Sequence, residues 1–312
     1  MKPQLIVLTG PTAVGKTKLS IMLAKKLSGE IISADSMQIY KHMDIGSAKV
    51  TTEEMDGVVH HLIDVLSPLD ECNVSKFQTL CKEAIQGILE RGHIPILVGG
   101  TGFYIQAILK DVDFAKTQVS DLRKKLEQEA EEKGACYLHE KLRQIDQVAA
   151  EQIHVNNVKR VIRAIEYYEE TGQPISAHNA QQKENESPYD YSYYVLTMDR
   201  DALYERIEQR IDQMLENGLV DEVKALKQMG CMKGMTSMQG LGYKEILDYL
   251  DGRCTYEEAV YLLKRDTRRF AKRQLTWFRR EEDVIWIDKD AFGHDDTAIC
   301  EFIMTQEKNK RR

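Results

Sequence analysis

The segment Gly10-Pro11-Thr12-Ala13-Val14-Gly15-Lys16-Thr17 constrains the chain most, because it follows the pattern G-x-x-x-x-G-K-[ST] and sits between an apolar run and an amphipathic stretch. The run Leu5-Ile6-Val7-Leu8 is short and uninterrupted, as a strand buried on both faces requires, and Lys16 to Leu27 has helical periodicity. Strand, glycine-bearing loop and helix in that order make a phosphate cradle. The glycines let main-chain N–H groups turn inward around an anion, and the helix N-terminus adds the positive end of its dipole. Lys16 then supplies a point charge to the phosphate chain, and Thr17 a hydroxyl ligand for Mg²⁺. Such a motif fixes a phosphate and not a reaction. Taken alone it favours a nucleotide kinase or NTPase.

The same strand grammar recurs at Glu30 to Ala34, His61 to Leu66 and Ile94 to Val98, with helix-like stretches such as Phe77 to Leu89 between them. This predicts an α/β fold with a parallel sheet flanked by helices. From Asp111 to Pro188 the grammar changes: Leu122, Leu126, Leu138, Leu142, Ile145 and Val148 recur at helical intervals among Lys, Glu and Gln. A helical insertion domain over 111–188 is expected, with 1–110 and 189–312 forming the core. The insertion closes with the polar stretch Ala180 to Pro188, expected as a hinge or mobile loop. Tyr193 to Met198 resumes the strand pattern. Long helices are expected around Ala202 to Gln228 and Tyr256 to Arg280, then a last strand at Val284 to Ile287 and a frayed basic tail at Lys308 to Arg312.

Composition narrows the function classes. The 312 residues are 42% apolar, ample for a core, yet nowhere do eighteen apolar residues run together, and the start lacks a signal-peptide pattern. No membrane association and a cytoplasmic location are expected. Six cysteines without a C-x-x-C pair argue against a zinc finger and a disulfide framework, leaving reduced, structural thiols. A net charge of -7 excludes a uniformly nucleic-acid-binding surface, so any such binding needs local clusters. The strongest cluster is Lys264 to Arg280, with eight basic residues against one acid and with Phe270, Trp277 and Phe278 interleaved. Basic side chains there can neutralise phosphates while aromatics stack bases, or the segment is simply a solvated helix face. Lys159, Arg160 and Arg163 share a helix side in the same two-way fashion. His60 and His61 lack partners at metal spacing and read as packing or loop residues; Met229, Met232, Met235 and Met238, interrupted by glycines, read as a flexible loop or channel wall.

In Ile31-Ile32-Ser33-Ala34-Asp35-Ser36-Met37-Gln38, an acid directly follows a buried strand, and open α/β sheets bind ligands outside the carboxyl ends of their strands. Asp35 should therefore face the phosphate-loop ligand. Three roles suit it: Mg²⁺ binding through water, capping the next helix, and general base. Asp64 is a weaker rival for the metal role.

The stretches GPTAVGKT at 10–17, ISADSMQIYKHMDIGSAK at 32–49, HHLIDV at 60–65 and ILVGGTGFYIQA at 96–107 are joined by NVKRVIRAIE at 157–166, DRDALYERIEQRIDQML at 199–215, QGLGYKEI at 239–246 and TRRFAKRQLTWFRR at 267–280. In this combination, over nearly its whole length, the chain resembles the bacterial tRNA dimethylallyltransferase family, also called tRNA isopentenyltransferase. The resemblance implies a P-loop NTPase-like core in which the loop and Mg²⁺ hold dimethylallyl diphosphate, while the tRNA anticodon loop enters from the opposite end of a channel. It implies Lys16, Thr17 and Arg210 on the diphosphate, Asp35 as general base, and transfer to N6 of the adenosine 3′ of the anticodon with release of diphosphate. Contacts to tRNA are implied for Asp35, Ser36, Met37 and Gln38, for Thr101 and Arg123, and for Lys159, Arg160, Val161, Ile162 and Arg163. They are implied also for Gly240, Leu241, Gly242, Tyr243, Lys244 and Glu245, and for Arg273, Gln274, Leu275, Thr276, Trp277, Phe278, Arg279 and Arg280. A monomer is expected.

Such chemistry sets clear demands. An exocyclic adenine amine is a poor nucleophile and an allylic diphosphate a good leaving group, so stabilising the departing diphosphate should dominate; one preorganised donor is commonly worth about 3 kcal/mol. Two other classes remain open at this point. A small-molecule kinase would use the insertion as a lid with Arg160 and Arg163 clamping phosphates, and would consume ATP. A nucleotide switch or RNA-binding module would bind tightly without turnover.

Overall fold

The computed structural model describes residues 2–114 and 121–310. Six strands, β1 (Gln4–Thr9), β2 (Gly29–Ser33), β3 (His60–His61), β4 (Ile94–Gly99), β5 (Asp190–Thr197) and β6 (Val284–Asp288), form one sheet in the order β3-β2-β4-β1-β5-β6. Every pairing is parallel. The strands are apolar runs because helices cover both faces of such a sheet: Leu5 to Leu8 of β1 are fully buried. The expected fold class holds, a parallel α/β sheet flanked by helices with a helical extension.

Among the described residues the helices are α1 (Lys16–Leu27), α2 (Thr52–Met55), α3 (Val74–Glu90), α4 (Gly102–Leu109), α5 (Asp121–Lys133), α6 (Ala135–Ile145), α7 (Gln147–Gln152), α8 (Val158–Thr171), α9 (Ile175–Glu184), α10 (Arg200–Glu216), α11 (Leu219–Gln228), α12 (Tyr243–Leu250), α13 (Tyr256–Phe278) and α14 (Asp296–Lys310). The chain divides into two compact units, one of residues 1–108 and 188–312, the other of residues 109–187. The first has a continuous core beneath the sheet, including Leu8, Leu19, Tyr194, Ile207 and Leu263. The second has its own, built from Leu126, Leu138, Leu142, Val161, Ile162 and Ile165.

Several sequence expectations need correcting. The strand expected over His61 to Leu66 is only the two-residue β3, because Leu62 (φ 61°) and Asp64 (φ 56°) adopt left-handed backbone that ends an extended run. Leu66 instead makes an isolated bridge to Tyr40. The long helix expected over Ala202 to Gln228 is two helices, broken at Gly218 with φ 96°. The polar stretch expected as a hinge is helical to Glu184; Gln182 Oε1 accepts from Asp113 N at 2.9 Å and from Asn185 Nδ2 at 3.1 Å, so polar bonds anchor what apolar burial does not. Val148 stays 52% exposed, since the cap at Asp146 restarts the helix and shifts its phase. The basic tail is helical through Lys310, whose Nζ pairs with Asp190 at 2.8 Å; residues 311–312 lie outside the described residues.

His60 and His61 take structural roles, His60 through its Nδ1, 2.9 Å from Val58 O. His61 Nε2 lies 2.6 Å from Glu30 Oε2 and His93 Nδ1 2.7 Å from Glu30 Oε1, while Arg91 grips the same carboxylate through two nitrogens. Chiefly through the Arg91 bonds, the buried Glu30 carboxyl is held down to about 2. The six cysteines are free thiols, four of them buried.

Candidate functional site

The centre of the sheet is where ligand chemistry is expected, because β1 lies between β4 and β5 and the loops after β1, β2 and β4 emerge together at its carboxyl edge. Thr9 Oγ1 donates to Gly99 O at 2.6 Å, fastening the ends of β1 and β4. Beyond Thr9, Ala13 (φ 64°) and Gly15 (φ 97°) alternate with right-handed neighbours, the backbone sequence that turns successive N–H groups into one concavity. At Gly15 the left-handed backbone favours glycine, and a Cβ would also lie 2.9 Å from Lys289 Nζ.

Lys16 folds back over this loop, its Nζ donating to Gly10 O at 3.0 Å and Pro11 O at 2.7 Å. Burial first, and the nearby Arg210 second, depress its pKa to about 7, with Asp35 opposing. Arg210, on α10, is likewise pushed downward by burial, again against the pull of Asp35. No ion pair or hydrogen bond engages the Arg210 side chain among the described residues. Asp35 acts on both desolvated cations, and Glu54 and Arg206 also bear on Arg210; neither Lys16 nor Arg210 has an ion-pair partner among the described residues, an arrangement that an anion would complete.

The sign of the resulting pH dependence follows. Lys16 releases its proton in the folded state near pH 7 and in the unfolded state near 10.5, so the unfolded chain binds the extra proton in between and stability rises with pH across that window. In thermal melts, wild type should gain stability relative to Lys16→Met from pH 7 to 10, the two running parallel below pH 6. Parallel curves throughout would return Lys16 to an ordinary surface lysine.

Asp35 emerges from β2 through Ala34, whose N–H donates to Val98 O at 2.7 Å. One carboxylate oxygen, Oδ1, accepts from Met37 N at 2.8 Å and Gln38 N at 3.3 Å, so Asp35 closes a turn rather than capping the helix expected there, and uses a single oxygen to do so. The Gln38 amide is held too: Oε1 accepts from Ser33 Oγ at 3.1 Å, and Nε2 donates towards Ser47 O and Ala48 O. Asp64, the weaker metal candidate, is taken by Lys49 at 2.6 Å. No group of three or more His, Cys, Asp or Glu side chains is arranged to hold a metal ion among the described residues.

Comparison with known proteins decides the family. The model of the IPP transferase family matches residues 38–281. The chain belongs to that family. It is similar to the tRNA dimethylallyltransferase of Lachnoclostridium phytofermentans, 60% identical over 304 residues, which is 97% of each chain. Among solved structures it resembles the full-length tRNA isopentenylpyrophosphate transferase of Bacillus halodurans, with TM-score 0.74, 48% identity and 99% of each chain covered. It resembles also a eukaryotic dimethylallyltransferase acting on tRNA, with TM-score 0.84, 29% identity, and 99% and 80% of the two chains covered.

In this IPP transferase family member the fold gathers several separated segments. A Cβ on Gly240 would lie 2.6 Å from Met37 Sδ, and Tyr243 Oη accepts from Ser47 N at 3.0 Å, so segments 35–38 and 240–245 are packed together. Thr101 N donates to Ala34 O at 3.3 Å, and Trp277 lies against Gly102. Glu222, which sequence reasoning passed over, accepts from the N–H groups of Asp44, Ile45 and Gly46 and from Tyr243 Oη, anchoring the loop that follows Asp35. Lys289 and Arg206 beside Gly15 were also missed. The strand-end rule that singled out Asp35, applied to β6, would have found Lys289.

Other expected RNA-contacting positions face inward. Tyr243, Phe278, Gln274 and Glu245 are buried, and Val161 and Ile162 pack in the core of the second unit. Arg123 pairs bidentately with the buried Glu166, at 2.9 and 2.6 Å. The basic helix divides as well. Lys264 pairs with Asp212, Arg265 and Arg269 with Asp266, and Arg268 with Glu208. Lys272, Arg273, Arg279 and Arg280 are exposed and without an acidic partner among the described residues, so its free charge is concentrated at the C-terminal end.

Proposed function

We infer that this chain is a tRNA dimethylallyltransferase, transferring the dimethylallyl group from dimethylallyl diphosphate to N6 of the adenosine 3′ of the anticodon and releasing diphosphate. Beside the likeness to the family, the observation that carries this reading is Asp35 at the end of β2, one carboxylate oxygen left open by its turn bonds, with its charge acting on the desolvated Lys16 and Arg210.

The reaction then has a simple balance. The C–O bond between the allyl carbon and the diphosphate breaks, with the electron pair leaving on oxygen, and the N6–C bond forms. Lys16, Arg210 and the loop N–H groups hold the charge that develops on the departing oxygen. Asp35 accepts the N6 proton on the carboxylate oxygen that its turn bonds leave open. The adenine leaves its stack to reach the acid, as base-modifying enzymes require.

The residues fit Mg²⁺. Thr17 is exposed at the start of α1, and the absence of a carboxylate cage among the described residues suits an ion that keeps several waters and binds through substrate phosphates. Bound there, Mg²⁺ would neutralise charge on the diphosphate. We place the enzyme in the cytoplasm as a monomer; none of the described helices is long and apolar enough to cross a membrane.

Incubation with Mg²⁺, unmodified tRNA and labelled dimethylallyl diphosphate, with and without ATP, tests the assignment. Label entering RNA without ATP supports it; ATP consumption with a phosphorylated product would replace it with a kinase. For the RNA side, Arg273→Ala should weaken tRNA binding and lower the salt dependence of binding by about one phosphate contact. An unchanged slope removes Arg273 from the RNA surface.

A further inference from the structure

The helix that presents the free basic charge also reaches into the phosphate loop. Gln274 of α13 is 6% exposed, and main chain satisfies its carboxamide at both ends. Oε1 accepts from Thr12 N at 2.9 Å, and Nε2 donates to Gly100 O at 2.9 Å. Only one orientation of the amide makes both bonds. The approach is close enough that a Cβ on Gly100 would lie 2.2 Å from Nε2.

The partner in the phosphate loop is a particular peptide. Thr12 N–H and Pro11 C=O belong to the same planar unit, and Pro11 O accepts from Lys16 Nζ at 2.7 Å. Gln274 thus pins one side of the peptide plane on which Lys16 rests at the other. Through Gly100 and the following Thr101, whose N–H donates to Ala34 O, the same side chain is linked to the residue preceding Asp35. With both ends of its amide engaged, Gln274 has little left to offer RNA.

We propose that Gln274 is a positioning residue for the donor diphosphate: it fixes the Pro11–Thr12 peptide, and with it Lys16 and the N–H groups that follow, relative to the turn bearing Asp35. The proposal rests on reading the loop as the diphosphate site. Losing the carboxamide frees that peptide to rotate, so the cradle has to be ordered each time an anion binds.

Calorimetric titration of wild type and Gln274→Met with inorganic diphosphate and Mg²⁺, without RNA and well below each melting temperature, tests it alongside tRNA binding in the same buffer. Gln274→Met should weaken diphosphate binding by about tenfold, the scale of a lost hydrogen bond, with tRNA affinity within about twofold of wild type. Gly100→Ala, which displaces Nε2 without altering Gln274 or the phosphate loop, should do the same and serves if Gln274→Met does not fold. Unchanged diphosphate affinity in both folded variants overturns the proposal: weakened tRNA binding would make Gln274 an RNA contact, and a lower melting temperature alone a core residue. Failure of wild type to bind diphosphate would sink the parent reading instead, a result visible before any variant is compared.

Discussion

Asp35→Asn is expected to reduce turnover by about 10² to 10⁴, the range usual for loss of a positioned general base, with the fold and tRNA affinity nearly unchanged. Asparagine is the informative choice because Asp35 does two things. Its Oδ1 accepts from Met37 N and Gln38 N, and an amide oxygen can keep those bonds, whereas alanine would lose them and cost roughly 1 kcal/mol of local turn bonding as well. Single-turnover rates with labelled donor, read beside a thermal melt, separate the roles. A folded Asp35→Asn protein with turnover near wild type would leave Asp35 as a turn residue only.

Arg210→Ala should lower kcat/KM for the donor by about 10² to 10³, as removal of one preorganised donor to a developing oxyanion does. Arg210 is a desolvated cation without an ion-pair or hydrogen-bond partner among the described residues, and its field lowers the Lys16 pKa. Removing it should therefore move the Lys16 titration upward while thermal stability holds or rises, since two desolvated like charges repel. Arg210→Lys should recover only part of the activity, because a point charge does not reproduce the planar fork of a guanidinium. Loss of activity matched by an equal loss of fold would sink this account; so would activity unaffected by either substitution.

The two predictions exploit opposite consequences of one arrangement. Lys16 and Arg210 are desolvated without an ion-pair partner among the described residues, a cost that diphosphate would offset under the proposed function. Glu30 shows the contrast. It is buried more deeply than Lys16, Asp35 or Arg210, yet Arg91, His61 and His93 complete its bonding.

How much of this was legible in the sequence depends on the range of the interactions concerned. Helix α1 and strand β1 were readable to within a residue, because burial of an apolar run, helical periodicity and the glycine pattern between them are short-range rules. Asp35 was readable as a strand-end acid. Its three candidate roles were not separable, because the answer depends on which oxygen Met37 and Gln38 occupy and on the cations across the loop.

The breaks at Leu62, Asp64 and Gly218 escaped periodicity because a single left-handed residue ends an element without altering its composition. The basic run 264–280 determined that α13 would be cationic, but only ion pairs with Asp212, Glu208 and Asp266 decided which half of that charge is spent inside the protein. Gln274 lies 262 positions from the loop residue whose N–H it holds. The local pattern places it on a helix, and only tertiary packing turns its amide into the phosphate cradle, because hydrogen bonding to a distant peptide depends on where the backbone arrives and not on its neighbours in the chain.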